Sequence, residues 1–539
     1  MTPDLRGFEL DGDIGAPDPV SAVLDGLGQA FGIATEPGAP GSGARQHTWL
    51  DTFDWRLYRA GLVLEYEHTR RGGRLLLSRD EVLQAEQPVE SWRASRPRLA
   101  EDLPAGPVRD QILKLASPRA LLPMATAAGA VTVTRLLNAD GKTVARLIVD
   151  RAAVTRADQT VPLPPRLAIA EVRGYLSQAR RAARILADAP GVAPARQSAF
   201  LAALHALGRH PNDYSGGVSA EITAQMPAPV AVATLLLGLL DTLEQNVDGT
   251  LRDIDTEFLH DLRVAVRRTR SAIKLLGDML PDGLAAAYAA EFKWLGDLTT
   301  PVRDLDVHLL GFRAMTAQLV AASPADLEPF RAFLVRRRTR EFRLLAAGLR
   351  SARFRAITEH WRKALEEVRD AGRPAKRRGV TADDLAVTRT ARVFRRVAAQ
   401  GSAITAASAP ESLHDLRKRC KELRYVLEFF VPLHDPVAYR KVLGDLKQLQ
   451  DCLGEFQDSQ VQREEIHALA DAMLADHAAP AATLLAMGEI AANLARSQAE
   501  ARAEFAQRFA RFAGPAGQQH VRALLDRPLS SSAPAGAGQ

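Results

Sequence analysis

The chain has 539 residues, of which 47% are hydrophobic and 25% are charged, and its formal net charge is +6. This length exceeds what one hydrophobic core accommodates, so we expect two to four domains of the ordinary soluble, globular kind. Cys420 and Cys452 are the only cysteines. They suggest neither a disulfide framework nor a cysteine-based metal site and, with no export signal at the start, we expect a cytoplasmic protein.

Residues up to about 190 have the pattern of a β-rich domain. Short apolar runs such as Gly61–Tyr66 and Val144–Val149 are separated by turn signals such as Gly72-Gly73. From Ala220 onwards, apolar residues recur at spacings of three and four, which predicts helices. The longest nearly apolar stretch, Pro227–Leu240, is too short to span a bilayer and predicts a buried helix, so we expect no membrane partner.

These patterns predict an α+β protein with two folded domains. The expected bounds are 1–200 for the β-rich domain, 201–222 for a linker, 223–513 for the helical domain and 514–539 for a disordered tail. The tail is rich in Ala, Gly, Pro and Ser, which is typical of disorder. The helical domain is expected to divide into two repeats, about 223–375 and 376–513.

The helical part contains a sequence repeat. The segment His260–Arg263 recurs as His414–Arg417, and the same offset of 154 residues relates further positions, among them Arg270 and Arg424. Most of the identical residues are charged or His, which a shared apolar pattern would not supply. A duplicated unit that carries a basic helical face is the simplest interpretation.

Each copy of the repeated segment is predicted to form a helix with one cationic and one apolar flank, at 100° per residue. The cationic flank holds His260, Arg263, Arg267, Arg270 and Lys274 in the first copy, and His414, Arg417, Lys421 and Arg424 in the second. Like charges one turn apart repel unless an anion neutralises them, and the planar arginine fork suits phosphate oxygens. We therefore expect an anion-binding surface, with a solvated face as the alternative.

Other charged residues are less specific. The stretch 331–400 holds 20 Lys and Arg against 7 Asp and Glu. Within it, Arg337 and Arg340 lie on one side of a predicted helix and are further candidates for ligand contact or for a solvated face. The two histidines of the repeat are expected to cap or pack their helices, or to donate to phosphate. Neither has a second His or Cys one turn away, so we do not expect a metal there.

The repeated motif resembles a known family. A second motif follows each copy, Pro301–Asp306 after the first and Leu446–Gly454 after the second. Over roughly residues 225–513 this arrangement resembles the CHAD domain, the conserved-histidine α-helical domain. The resemblance implies two four-helix bundles related by a pseudo-twofold axis, a basic cavity or surface that binds inorganic polyphosphate, and association with polyphosphate granules. It implies contacts from His260, Arg263, Arg267, Arg270, Lys293, His414, Arg417, Lys421, Arg424 and Lys447.

The N-terminal part resembles the CYTH, or triphosphate-tunnel, domain in the segments His47–Asp54 and Leu57–Gly61. The resemblance implies an antiparallel β-tunnel. Active members hold metal and phosphate with a Glu-x-Glu-x-Lys motif and with inward-pointing Arg and Lys. This sequence departs from that pattern, because Glu65 and Glu67 stand where arginines are expected. Acids at these positions repel a triphosphate, so we expect a degenerate tunnel without catalysis.

The opening motif of the tunnel is also altered. Glu9 and Asp11 are followed by Asp13, where the family pattern has a lysine. Glu9 and Asp11 are therefore only weak candidates for a metal ion, and no cofactor is expected.

Three functions are compatible with the sequence to different degrees. Non-enzymatic polyphosphate binding at granules fits both basic stripes. A CYTH-type, metal-dependent triphosphatase with a substrate-gathering helical module is the alternative, and the missing tunnel cations argue against it. Nucleic-acid binding is disfavoured, since the helices carry few exposed aromatic residues and no recognised reading motif. Homo-oligomers and granule-associated proteins are partners that the sequence leaves open.

Overall fold

The computed structural model describes residues 7–10, 19–35, 42–69, 72–89, 96–156, 158–218, 220–371 and 379–526. The chain divides into two compact units, Met1–Ser215 and Gly216–Gln539. This division falls inside the stretch 201–222 that the sequence predicts as a linker. Each unit has hydrophobic cores of its own.

The first unit is an antiparallel sheet with helices. Its strands are β1 (Phe8–Leu10), β2 (Gly32–Thr35), β3 (Gly43–Thr52), β4 (Val63–Thr69), β5 (Gly72–Arg79), β6 (Val82–Val89), β7 (Arg98–Leu99), β8 (Ala120–Leu137), β9 (Thr143–Arg156), β10 (Gln159–Pro162), β11 (Arg166–Glu171) and β12 (Val192–Pro194). Its helices are α1 (Pro19–Gly28), α2 (Arg56–Arg59), α3 (Pro107–Ala116), α4 (Leu176–Ala187) and α5 (Ala199–Ala206).

The strands follow the order β12-β1-β11-β9-β8-β3-β4-β5-β6, with β2 and β7 also on β8 and β10 also on β9. Every pairing is antiparallel, as expected. The expected closure into a tunnel is not seen, because β6 and β12 do not pair with each other within the described ranges. Both end strands disfavour further pairing, since β12 has three residues and Pro88 in β6 has no N–H to donate.

The described residues of the second unit form helices joined by turns and loops, with an isolated antiparallel β-bridge between Pro227 and Thr381. Its α-helices are α6 (Ala228–Gln245), α7 (Val247–Leu251), α8 (Thr256–Leu276), α9 (Leu284–Thr316), α10 (Glu328–Leu349), α11 (Ala352–Asp370), α12 (Ala382–Ser402), α13 (Pro410–Phe429), α14 (Pro436–Ala475), α15 (Ala481–Ala513) and α16 (Pro515–Leu525). One segment of the described chain, Ala228–Leu251, is long and apolar enough to cross a membrane, and it is mostly buried in the helical core.

The helix starts repeat with the offset seen in the sequence. Helices α6 and α12 begin 154 residues apart, as do α8 and α13. Helices α9 and α14 begin 152 residues apart, and α10 and α15 begin 153 residues apart. The duplicated four-helix arrangement expected from the sequence is therefore confirmed. The fourth helix of each repeat is interrupted, between α10 and α11 in the first repeat and between α15 and α16 in the second.

Backbone hydrogen bonds mark the relation between the two repeats. The N–H of Ala228 donates to the carbonyl of Val380 at 3.0 Å, and the N–H of Ala382 donates to the carbonyl of Met226 at 2.7 Å. Each bond becomes the other when the 154-residue offset is applied in both directions. Such an exchange is the contact pattern of a twofold axis, so the repeats are related by a pseudo-twofold.

Two predicted boundaries are wrong. The linker does not begin at 201, because α5 continues to Ala206, with its first turn capped by the Ser198 hydroxyl and with Leu204 buried. The predicted tail begins with α16, which buries Val521 and Leu524 and so has an apolar flank to hold it. Residues 527–539 of that tail lie outside the described residues.

Candidate functional site

The basic helices α8 and α13 are held in place by their apolar flanks. Leu262 and Val266 of α8 are buried in the main helical core, as are Leu416 and Leu423 of α13. Because three- and four-residue steps return to one face of a helix, burying these residues directs the basic flank away from the core. The two helices also contact each other, which brings the two basic flanks to one place.

A cavity of about 480 Å³ lies between α8, α9, α13 and α14. Four pairs of equivalent residues line it, each pair separated by 154 positions: Arg263 with Arg417, Arg267 with Lys421, Asp304 with Asp458, and Val307 with Val461. The other lining residues are His260, Val264, Arg303, Gln462 and Glu465. Both copies of each paired position face the cavity, so it lies on the pseudo-twofold axis.

The cavity has an excess of positive charge. Five Arg and Lys side chains line it, against three carboxylates. Burial, followed by repulsion from Arg417 and Arg267, lowers the pKa of Lys421 to about 8. Burial also lowers the pKa of Arg263, although the Asp304 carboxylate opposes this shift. A bound anion would favour the charged forms of both side chains, because it offsets burial and repulsion together.

The cavity cations differ in their protein partners. Arg417 Nη2 lies 2.8 Å from Asp458 Oδ1, whereas Arg263 donates to the hydroxyl of Thr300 and, at 3.3 Å, to the carbonyl of Gly296. Neither Arg267 nor Lys421 forms an ion pair with any described residue. These two equivalent side chains are therefore available to an anion.

The structure brings five of the thirteen predicted binding residues to the cavity: His260, Arg263, Arg267, Arg417 and Lys421. Four others pair with carboxylates, namely Lys274 with Glu422, Arg424 with Glu428, Lys293 with Asp297 and Arg340 with Glu341. His414 Nδ1 lies 2.7 Å from Gln457 Oε1. Arg270, Arg337 and Lys447 do not line the cavity.

One cavity cation was not predicted. Arg303 reaches the cavity from α9, and its Nη1 lies 3.8 Å from Glu257 Oε1. It belongs to the motif Pro301–Asp306 that follows the first basic helix, so the motif itself was the available signal. A helical wheel of α8 alone could not show it, because Arg303 comes from a neighbouring helix.

The first unit carries a network of ion pairs on one face of its sheet. Glu67 binds Arg45 at 2.8 Å and Arg74 at 2.6 Å, and His47 Nδ1 lies 2.5 Å from Glu65 Oε1. Burial would lower the pKa of His47, but Asp150 and Glu65 outweigh it and raise the pKa to about 10. The acids that replace the expected tunnel arginines are thus neutralised by neighbouring cations.

The described residues of the first unit do not fit a metal ion. No group of three or more His, Cys, Asp and Glu side chains in the described ranges is arranged to hold one. Glu9 accepts a hydrogen bond from the Arg196 N–H at 3.3 Å, and Asp11 lies outside the described residues. Glu9 therefore bonds to the backbone and belongs to no ligand cluster among the described residues.

Comparison with known proteins gives a family match and several solved structures. Residues 234–467 match the model of the CHAD domain. The CHAD domain of the plant Ricinus communis is 22% identical, with 57% of this chain and 95% of that chain covered and a TM-score of 0.42. PptA from Streptomyces chartreusis is 16% identical, with 53% and 99% covered and a TM-score of 0.41.

A putative adenylate cyclase from Bacillus halodurans is 12% identical, with 36% of this chain and 93% of that chain covered and a TM-score of 0.24. No curated protein matches the chain. The first unit itself is an open antiparallel sheet within the described ranges. The helical unit, with its duplicated basic helices, contains the matched segment, and residues 234–467 of this chain are a CHAD domain.

Proposed function

We propose that the helical unit binds inorganic polyphosphate without hydrolysing it, in the cavity between α8, α9, α13 and α14. The observation that carries this proposal is that Arg267 and Lys421 face one cavity from equivalent positions, with no ion pair among the described residues. A linear polyanion offers closely spaced oxygens to these cations and to Arg263 and Arg417. Binding would release counterions, so affinity should fall as salt rises.

The CHAD family match over 234–467 supports a polyphosphate-related role, and association with polyphosphate granules is part of the proposal. The size of the cavity, about 480 Å³, suits a short stretch of phosphate units rather than a nucleobase-bearing strand that must also be stacked. Long polyphosphate would therefore be retained in the presence of nucleic acid.

For the first unit we propose a non-catalytic role as scaffold or protein-interaction domain. The network of Arg45, His47, Glu65, Glu67 and Arg74 supports this, because its cations are already neutralised by protein carboxylates. A triphosphate entering this face would meet Glu65 and Glu67 and would have to displace them from their partners.

One assay on the 539-residue chain tests both polyphosphate binding and the absence of catalysis. Fluorescent long-chain polyphosphate is titrated with protein in Mg²⁺, with RNA as competitor, while released phosphate is measured. We expect binding that RNA does not displace at equal phosphate concentration, and no phosphate release from polyphosphate or tripolyphosphate. Displacement by RNA would favour a nucleic-acid binder, and metal-dependent release would establish the triphosphatase.

A further inference from the structure

Two ion pairs join α8 of the first repeat to α13 of the second. Arg268 Nη2 lies 3.0 Å from Glu428 Oε2, and Lys274 Nζ lies 2.6 Å from Glu422 Oε1. Arg268 and Glu428 are each 14% exposed at the side chain, so this pair is largely buried, whereas Glu422 is 10% exposed and its partner Lys274 is 64% exposed. Opposite charges stabilise the contact between α8 and α13 here, because like charges in a partly buried interface would raise its free energy.

The four residues occupy only two kinds of position. Arg268 and Glu422 are equivalent under the 154-residue offset, and Lys274 and Glu428 are equivalent under the same offset. Each ion pair therefore joins the first position of one repeat to the second position of the other, as a twofold axis requires. The first repeat has a cation at both positions and the second repeat has an acid at both.

We propose that this difference in charge sign directs α8 of the first repeat to pair with α13 of the second repeat in the same chain. It disfavours pairing of either repeat with an identical repeat from a second copy of the chain. If two first repeats met across the same axis, Arg268 would face Lys274 twice. If two second repeats met, Glu422 would face Glu428 twice. Both arrangements place like charges opposite each other across the axis and lose the two ion pairs between the repeats, which disfavours them relative to pairing between repeats.

Glu422 and Glu428 also pair with arginines of their own helix, α13. Arg419 lies 2.9 Å from Glu422, and Arg424 lies 2.7 Å from Glu428. These contacts are additional to the ion pairs with Arg268 and Lys274 across the axis. Glu428 stands at the position equivalent to Lys274, so the basic stripe of α13 ends where that of α8 continues.

Charge reversal in the 539-residue chain tests this proposal. The double variant R268E/K274E places four acids across the interface, and we expect its melting temperature to fall by roughly 5–10 °C. The quadruple variant R268E/K274E/E422K/E428R restores opposite charges with the signs exchanged. We expect it to recover more than half of the loss, but not all of it, because Arg419 and Arg424 would then repel the new cations.

The control variant R392E/R396E makes the same change in net charge at two exposed positions of α12. We expect its melting temperature to stay within about 2 °C of the unmodified chain. The recovery in the quadruple variant separates charge pairing from the hydrogen bond between Arg268 and the Gly216 carbonyl, which the double and quadruple variants both lose. A quadruple variant no more stable than the double, or a double variant as stable as the control, would overturn the proposal. If the double variant does not fold, a folded quadruple variant supports the proposal and an unfolded one refutes it.

Discussion

Arg417 and Asp458 form an ion pair of 2.8 Å at the edge of the basic cavity, and the Asp458 side chain is 60% exposed. The equivalent residues Arg263 and Asp304 do not form this pair, because Arg263 donates to Thr300 and Gly296 instead. Asp458 is thus an internal anion that neutralises one of the cavity cations. A phosphate bound in the cavity, as proposed, would compete with it for Arg417.

Replacing Asp458 should therefore tighten binding. In D458N the carboxylate no longer competes for Arg417 or repels the ligand, and we expect a roughly 1.5- to fivefold gain in polyphosphate affinity. Fluorescence titration at fixed salt measures it. The control is D415N, which removes an exposed acid of α13 that pairs with Lys418 outside the cavity. An affinity that is unchanged or weaker in D458N would show that Asp458 positions Arg417 rather than competing for it.

Binding should weaken at alkaline pH because of Lys421, whose pKa is lowered to about 8. Below pH 8 the amine is already charged in the free protein. Above pH 8 binding requires proton uptake, so affinity falls with rising pH, by at most about tenfold per pH unit for one proton. The variant K421R should lose this dependence, since arginine stays protonated. Identical pH profiles for the two proteins would contradict the role of Lys421.

Lys421 should also lower the free energy of unfolding. The pKa of Lys421 is about 8 in the folded chain and 10.5 for an unperturbed lysine, so the charged amine destabilises the fold below pH 8. This cost is relieved as pH rises from 8 towards 10.5. We expect K421M to unfold at higher urea than the unmodified chain at pH 7, with the difference shrinking by pH 10. The matched control K447M changes an exposed lysine of α14 and should have no such pH dependence.

His47 should remain protonated through neutral pH, because Asp150 and Glu65 raise its pKa to about 10. A folded-state pKa above the ordinary 6.5 means that its stabilisation is complete below pH 6.5 and is lost as pH rises through 10. NMR of the ring should show no titration between pH 5 and 8. The variant E65Q should lower the titration midpoint, whereas a midpoint near 6.5 in the unmodified chain would show that the ion pairs do not form.

The helical half of the fold could be predicted from two signals: the three- and four-residue spacing of apolar residues, which is local, and the internal repeat. The 154-residue offset, read from charged and His residues, reappears in the starts of α6 and α12 and of α8 and α13. The predicted start of the disordered tail at residue 514 was wrong. Composition suggested disorder, but α16 buries the apolar side chains of Val521 and Leu524, and His520 Nδ1 lies 2.7 Å from Asp445 Oδ2 of α14. Helix α16 is held by tertiary contacts, and the composition of the segment does not show these.

The site was predictable in part. A wheel of one helix places Arg267 and Lys274 on the same flank, yet Arg267 lines the cavity and Lys274 binds Glu422. The difference depends on which residue of α13 lies opposite, which no single-helix pattern contains. Closure of the tunnel likewise depends on whether β6 and β12 meet, and this is set by strand length and edge chemistry far apart in the sequence.

The most direct measurement of the central claim is a salt titration of polyphosphate binding to the unmodified chain, to R267A/K421A and to R392A/R396A. Each double variant removes two cations, but only the first removes them from the cavity. We predict that R267A/K421A binds at least about tenfold more weakly, with a slope of log affinity against log salt smaller by roughly 1.5. R392A/R396A should keep both values. Equal losses in the two variants would show that polyphosphate responds to net charge and that the cavity is not its site.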